Sequence, residues 1–310
     1  MFKKVIIFYN FMEKISVKIN HKELIVNFWK SAHNNPKGIF YIHHGMAEHI
    51  DRYCHVAEHL NSAGFHVVGH DHLGHGKNKE NGQGIFAIHN GWNKVTNEAT
   101  AVINNFNQSY PNMPSYLYGH SMGGFISLFS MKSIKNLKGA ILTGIFLPSK
   151  AQIIFLKIIL KIEKFFLKKN QESIVHKFNF QRLNSFIKNA KTDFDWLSTD
   201  EEEVDKYIKD PNCGFNCSNS LWQDFNNGGE MLLEEDIFLG VNSDIKIFLA
   251  GGEVDPCIST GRGINGLKIF LTNVFKNTIM MKYPKKRHEI QNESCCNKFL
   301  EDAIKFFEDD

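Results

Sequence analysis

The 310-residue chain contains six cysteines, none of them in a C-x-x-C pair, so the sequence offers no pattern for a structural zinc site. It also lacks a large excess of one charge: the formal net charge is +3 and lysines are dispersed among acids, which gives no case for a nucleic acid partner. Apolar runs long enough to span a bilayer, internal repeats and low-complexity linkers are missing too. We therefore expect a globular protein with reduced thiols in the cytoplasm.

At the beginning of the sequence, two lysines precede a short apolar run, as they do at the start of a signal peptide. The run passes into Glu13-Lys-Ile-Ser without an A-x-A-like cleavage site. We interpret residues 1–12 as an N-terminal extension or as an ambiguity of the start site with Met12.

Further along, short apolar runs alternate with amphipathic segments. A polar turn between two alternating segments predicts a β-hairpin over residues 15–29. The predicted later strands are 38–43, 65–69, 115–118, 138–144, 244–250 and 278–283, and the predicted helices are 51–63, 92–109 and 125–131. This alternation indicates an α/β protein with a mostly parallel central sheet and helices on both faces.

One segment interrupts the alternation. Residues 146–226 show helical amphipathic patterns without clear strands, which predicts a helical cap inserted between core segments 13–145 and 227–310. Residues 152–169 combine a broad apolar face with lysines every few positions. Two interpretations stay open for this face: packing on the main domain, and a lid that lines an acyl-chain pocket or touches lipid.

The strongest motif is Gly119-His120-Ser121-Met122-Gly123, which has the G-x-S-x-G spacing of a nucleophile elbow. A serine on a tight strand-to-helix turn tolerates only very small neighbours two positions to either side, and Gly119 and Gly123 supply them. The flanking sequence predicts the required strand before Ser121 and a helix after it.

A serine nucleophile needs a histidine base oriented by an acid, and chains with this elbow supply them in the order Ser, Asp or Glu, His. His288 follows the last predicted strand, which makes it the candidate base. Asp255 follows the preceding strand and is the candidate acid, with Glu253 as the alternative. We expect the oxyanion donors to be the backbone N–H groups of Met122 and, on the loop that contains Gly45, of Met46.

Residues 70–76 contain three further histidines, but their spacing lacks an H-E-x-x-H-like geometry, so we expect no metal and no cofactor.

Several segments together resemble the monoacylglycerol lipase and lysophospholipase branch of the α/β-hydrolases, sometimes grouped with serine aminopeptidases. The segments that carry the resemblance are HGMAEHIDRY (44–53), DHLGHG (71–76), GHSMGG (119–124), DPNCGF (210–215), GGEVDP (251–256) and YPKKRHE (283–289). The resemblance implies an α/β-hydrolase fold with a cap, the catalytic residues Ser121, Asp255 and His288, and oxyanion donors Met46 and Met122. Small residues are common in the family at position 46, and arginine is common at Leu73.

We therefore predict a serine esterase that cleaves a lysophospholipid or a monoacylglycerol through an acyl-enzyme. Its partner is then a small amphiphilic lipid, with transient contact between cap and membrane and no nucleic acid. An alternative within the fold is an aminopeptidase, for which Glu201-Glu202-Glu203 could hold the substrate ammonium, or another small-ester hydrolase. An alternative of another class is a catalytically silent protein that binds a ligand.

Overall fold

The computed structural model describes residues 12–19, 22–167, 171–234, 236–259 and 261–309. The predicted N-terminal extension lies outside these residues, except for Met12, which begins the first strand. The strands are β1 Met12–Ile19, β2 Lys22–Trp29, β3 Gly38–His43, β4 Phe65–His70, β5 Ser115–His120, β6 Leu137–Thr143, β7 Lys246–Gly252 and β8 Asn277–Tyr283. They form one sheet in the order β1-β2-β4-β3-β5-β6-β7-β8.

Strand direction follows from how the strands are connected. β1 and β2 form an antiparallel hairpin, and β2 pairs antiparallel with β4. From β4 to β8 every neighbouring pair is parallel. Parallel neighbours need crossover connections, which helices supply. The carboxyl ends of β3, β5, β7 and β8 therefore meet at one edge of the sheet, where the candidate residues lie.

The helices are α1 Cys54–Ser62, α2 Gly91–Ser109, α3 Met122–Ser130, α4 Lys150–Phe166, α5 Ile174–Asn184, α6 Glu201–Lys209, α7 Asn219–Met231, α8 Gly263–Thr272 and α9 Cys296–Glu308. The helix predicted over 51–63 differs at its start, because Ile50–Tyr53 is a 3-10 helix that leads into α1. The predicted strand 244–250 begins and ends two residues later, as β7.

Two buried clusters show that both faces of the sheet are covered. Within β3, Ile39 and Tyr41 belong to one cluster and Phe40 and Ile42 to the other. Side chains in a strand alternate between the two faces, so the clusters lie on opposite sides. Helices α2, α3 and α8 contribute to the first cluster, and α1 and α9 to the second.

Four helices, α4 to α7, lie between β6 and β7 in the chain, in the segment expected to form a cap. Helix α7 continues past residue 226, so that expected boundary falls inside a helix. The division of the chain into core and cap stays a prediction. Within the described residues, no helix has the length and apolar character that crossing a membrane takes.

Candidate active site

Ser121 lies on a strained turn between β5 and α3. Its backbone angles, φ 50° and ψ −117°, fall in a region that non-glycine residues rarely adopt. A Cβ atom on Gly123 would come within 2.0 Å of the His43 carbonyl oxygen, and one on Gly119 within 2.4 Å of Ser127 Oγ. Helix α3 therefore lies so close to the ends of β3 and β5 that only glycine fits at these two positions.

Asp255 and His288 form a buried pair. Asp255 follows β7, His288 follows β8, and His288 Nδ1 donates to Asp255 Oδ2 at 2.9 Å. Burial alone would lower the pKa of His288, but the Asp255 carboxylate outweighs it and the pKa lies above its ordinary value. The alternative acid, Glu253, is exposed and accepts a hydrogen bond from the backbone N–H of Lys285. The histidine thus keeps Nε2 free of the aspartate and able to act as a base.

A cavity of about 950 Å³ opens over Ser121, and His288 lies in its wall. Its lining is mostly apolar and comes largely from α4, α5 and α7. Members of this lining are Phe125, Phe146, Leu156, Ile159, Phe180 and Trp222. Such a site binds an apolar ligand and orients it with few polar groups.

The expected oxyanion donors line the same cavity. Met122 begins α3, and N–H groups in the first turn of a helix have no partner within the helix. Met46 lies on the loop after β3, together with Gly45, whose N–H donates to Glu48 Oε1 at 2.5 Å. Both residues therefore border the space above Ser121, and their N–H groups stay the predicted oxyanion donors.

A buried charge network behind this loop was not predicted from the sequence. Arg52 donates from Nη1 to Glu48 Oε2 at 2.6 Å and forms a two-bond ion pair with Glu289, with both distances 2.7 Å. Burial raises the pKa of Glu48. At Glu289 burial acts in the same direction, but Arg52 outweighs it and lowers the pKa to about 2. The network links the Met46 loop to the residue next to His288.

Residues 195–198, in the segment predicted to be a cap, hold the His288 loop, which the sequence did not predict either. The N–H of Glu289 donates to the Leu197 carbonyl at 2.7 Å, and the ring of Trp196 lies 4.9 Å from the ring of His288. Arg287 Nη1 donates to the carbonyls of Asp195 and Ser198. In the sequence, Trp196 and Leu197 are two apolar residues among polar neighbours, which does not identify a partner.

Among the residues that the structure describes, two groups of side chains bring metal-ligating atoms within 4.8 Å of one another: His49, Asp210 and Cys213, and Glu48, His120 and Glu289. In the first group His49 is hydrogen-bonded to Asp210. In the second, Arg52 engages both carboxylates. The carboxylates of both groups are thus already paired with a cationic or hydrogen-bonding side chain.

A parallel sheet carrying a serine on a strained strand-to-helix turn is the architecture of the α/β-hydrolases. A carboxyl esterase from Bacillus coagulans, solved in complex with glycerol, has this fold: it is 25% identical to the chain and superposes with a TM-score of 0.81 over 95% of this chain and 97% of its own. The expected fold class is confirmed. The chain belongs to the serine aminopeptidase S33 family, whose model matches residues 34–295.

Curated relatives match a shorter part of the chain. A monoglyceride lipase homolog of monkeypox virus is 32% identical over 119 residues, 38% of this chain and 41% of the relative. The monoglyceride lipase of Rattus norvegicus is 31% identical over 114 residues, 37% of this chain and 36% of the relative. The matches therefore span about two fifths of the length of these relatives.

Proposed function

We propose that this protein is a serine esterase that cleaves a single-chain acyl lipid, a monoacylglycerol or a lysophospholipid. The observation that carries the proposal is the large apolar cavity that opens directly over Ser121. Each Å² of apolar surface that an acyl chain buries contributes about 25 cal/mol to the binding free energy. A cavity with this apolar lining therefore favours a long acyl chain over a peptide. The monoglyceride lipases among the relatives agree with this substrate class.

The proposed reaction uses the residues that meet at the carboxyl edge of the sheet. Ser121 Oγ attacks the ester carbonyl while His288 Nε2 takes its proton, and Asp255 holds the imidazole and stabilises its cation. The N–H groups of Met46 and Met122 stabilise the oxyanion, each donor contributing about 3 kcal/mol in comparable sites. The imidazolium protonates the leaving alkoxide, and water activated by His288 then hydrolyses the acyl-enzyme.

The aminopeptidase alternative has less support. The acids considered for it, Glu201 to Glu203, lie in the first turn of α6, where Asp200 caps the helix, and they do not line the cavity. Glu48 and Glu289 do line it, but Arg52 is paired with both. Turnover of aminoacyl-naphthylamides above that of acyl esters would favour the peptidase.

The decisive experiment compares wild type with Ser121→Ala. We expect a fluorophosphonate probe to label the wild type, and both labelling and p-nitrophenyl ester hydrolysis to vanish in the variant. Monoacylglycerols and lysophospholipids of equal chain length, assayed side by side, then assign the head group through kcat/KM. Binding of lipid without labelling or hydrolysis would instead support a catalytically silent ligand-binding protein.

Contact with a lipid surface is a second part of the proposal. At the mouth of the cavity Phe166 is 83% exposed and Phe178 is 71% exposed, and both also line the cavity. The neighbouring Phe165 is 91% exposed, and α4 carries four lysines. Exposed aromatic side chains beside lysines suit the surface of an anionic membrane.

Ile158→Ser with Phe165→Ser changes two exposed apolar residues of α4 that do not line the cavity, so it should lower co-sedimentation with phosphatidylserine vesicles severalfold and leave hydrolysis of a soluble short-chain ester within twofold. A matched control is Phe186→Ser, which removes another apolar residue that is 63% exposed but lies outside α4. Equal vesicle binding by the double variant and wild type would contradict the membrane contact. The cytoplasmic location stays a prediction.

A further inference from the structure

The loop that carries Met46, residues 45–49, contains a strained residue. Ala47 has φ 57°, in the left-handed region, where a side chain costs roughly 1 to 2 kcal/mol. Conformations of this kind persist only where the surrounding structure holds them. The side chain of Ala47 is fully buried, so its holding contacts come from protein and not from solvent.

The contacts come from the cap. Tyr207 Oη donates to the Ala47 carbonyl at 2.9 Å, and the Gly214 N–H donates to the same oxygen at 2.9 Å. At the end of the loop, His49 Nε2 is hydrogen-bonded to Asp210 Oδ2 at 2.8 Å. We name Tyr207, Asp210 and Gly214 the loop clamp. It accounts for the 210–215 motif, to which the proposed chemistry assigns no role.

The clamp and the charge network meet at Tyr207. The guanidinium of Arg52 lies 4.9 Å from the centre of the Tyr207 ring, and Tyr207 itself is buried. Arg52 in turn holds Glu48, which accepts the N–H of Gly45. The loop is therefore gripped at Gly45 from the core and at Ala47 from the cap, with Met46 between the two.

We propose that Tyr207 is a positioning residue for the oxyanion site, an inference that rests on the proposed esterase function. The Ala47 carbonyl lies two peptide units after the Met46 N–H, so the hydrogen bond from Tyr207 restrains the direction of that N–H. The oxyanion site is then complete only when the cap is seated on the loop. Tyr207 borders the cavity, but its hydroxyl donates its proton to the Ala47 carbonyl, away from the reacting atoms.

Tyr207→Phe tests the hydroxyl alone, because the ring stays over Arg52. Removal of an oxyanion donor costs about 10² to 10³ in kcat, and we expect a donor that is merely misaligned to cost about tenfold, with KM within twofold. The inhibition constant of an alkyl trifluoromethyl ketone, whose adduct places an oxyanion in this site, should rise by about the same factor. A long-chain alcohol, which forms no oxyanion, should bind as in wild type.

The matched control is Phe194→Leu. The Phe194 ring lies 5.2 Å from the Tyr207 ring in the same cap cluster, yet no hydrogen bond joins its side chain to the loop. Its kcat should stay within twofold of wild type. Equal loss in both variants, or a rise in KM with unchanged kcat in Tyr207→Phe, would mean that Tyr207 acts through packing and would overturn the proposal.

Failure of the esterase proposal is visible separately. If the wild type hydrolyses no ester but its Ser121 reacts with a fluorophosphonate, the labelling rate decides, because phosphonylation also places negative charge on an oxygen in this site. Labelling about tenfold slower in Tyr207→Phe supports the clamp, and equal rates refute it. Absence of labelling in the wild type would overturn both proposals.

Discussion

Four buried histidines should make the folding stability fall on mild acidification. Desolvation on burial lowers the pKa of His43 to about 3 and the pKa values of His70, His75 and His176 to about 4. In an unfolded chain histidine has a pKa of about 6.5. The unfolded state thus binds more protons in the interval between these values, so the stability present above pH of about 6.5 is lost as the pH falls.

The size of the effect follows from these pKa values. Between about pH 7 and about pH 5.5 each histidine removes slightly more than about 1 kcal/mol of unfolding free energy, so the four together remove about 5 kcal/mol. Glu98 opposes them, because burial raises its pKa to about 7, and it returns roughly 1 to 2 kcal/mol. Burial likewise raises the pKa of Asp224 to about 6, with a smaller return. A net loss of about 3 kcal/mol remains, a large part of a typical 5–15 kcal/mol.

The other strongly shifted groups do not reverse the sign. Burial lowers the pKa values of His44 and His72 well below the ordinary value, and it raises the pKa of Glu48. His120 and His288 shift in opposite directions: burial lowers the pKa of the first, and the carboxylate bonded to the second raises its pKa despite burial. The histidines with lowered pKa values therefore outnumber the groups that gain protons on folding.

Urea unfolding followed by tryptophan fluorescence at the two pH values measures this loss. His72→Leu should reduce the loss by about 1 kcal/mol, because both ring nitrogens of His72 are buried without a hydrogen-bond partner and the substitution breaks no side-chain bond. His89→Gln, at an exposed position, should leave it unchanged. An unfolding free energy equal or higher at pH 5.5 in the wild type would refute the reasoning.

Two further predictions concern the catalytic pair. Asp255→Asn should lower kcat about 10⁴-fold, as loss of the orienting aspartate does in serine triads, while Glu253→Gln, on the same loop but exposed, should stay within twofold of wild type in the same ester assay. As the pH is lowered, His288 becomes protonated and can no longer act as a base. Because its pKa is raised, kcat/KM should reach half of its maximum at a pH above 6.5, and a half-maximum below pH 6 would contradict the proposed pairing with Asp255.

Most of the fold was predictable because the buried strands are short apolar runs between turn residues. The bounds of β3 match the prediction residue for residue, since all six of its residues are buried. β7 was displaced because it ends in Gly251 and Gly252, which carry no apolar signal, while Asp244 at the predicted start is exposed. Strand ends thus depend on pairing with neighbours, which a single sequence does not display.

In the candidate site, too, some residues could be predicted from the sequence, whereas their long-range partners could not. Chain order predicted Asp255 and His288, and their side chains lie 2.9 Å apart. Nothing in the sequence pairs Arg52 with Glu289, because they are 237 positions apart and charged residues are usually solvated. The contact of Trp196 with His288 could not be predicted either, because an apolar residue in an amphipathic segment indicates burial but not which residue it packs against.

The segment predicted to be a cap contains two parts that contact different regions of the site. Both interpretations of α4 find support: Ile153 and Leu160 are buried, whereas Phe166 is 83% exposed and borders the cavity. The second part, residues 195–214, holds the His288 loop through Leu197 and the Met46 loop through Tyr207. Changes at the α4 surface should therefore alter delivery of a lipid substrate, whereas changes in the second part should alter the chemical step with any ester. If the segment only covered the cavity, changes in its two parts would not differ in their effects on lipid delivery and on the chemical step.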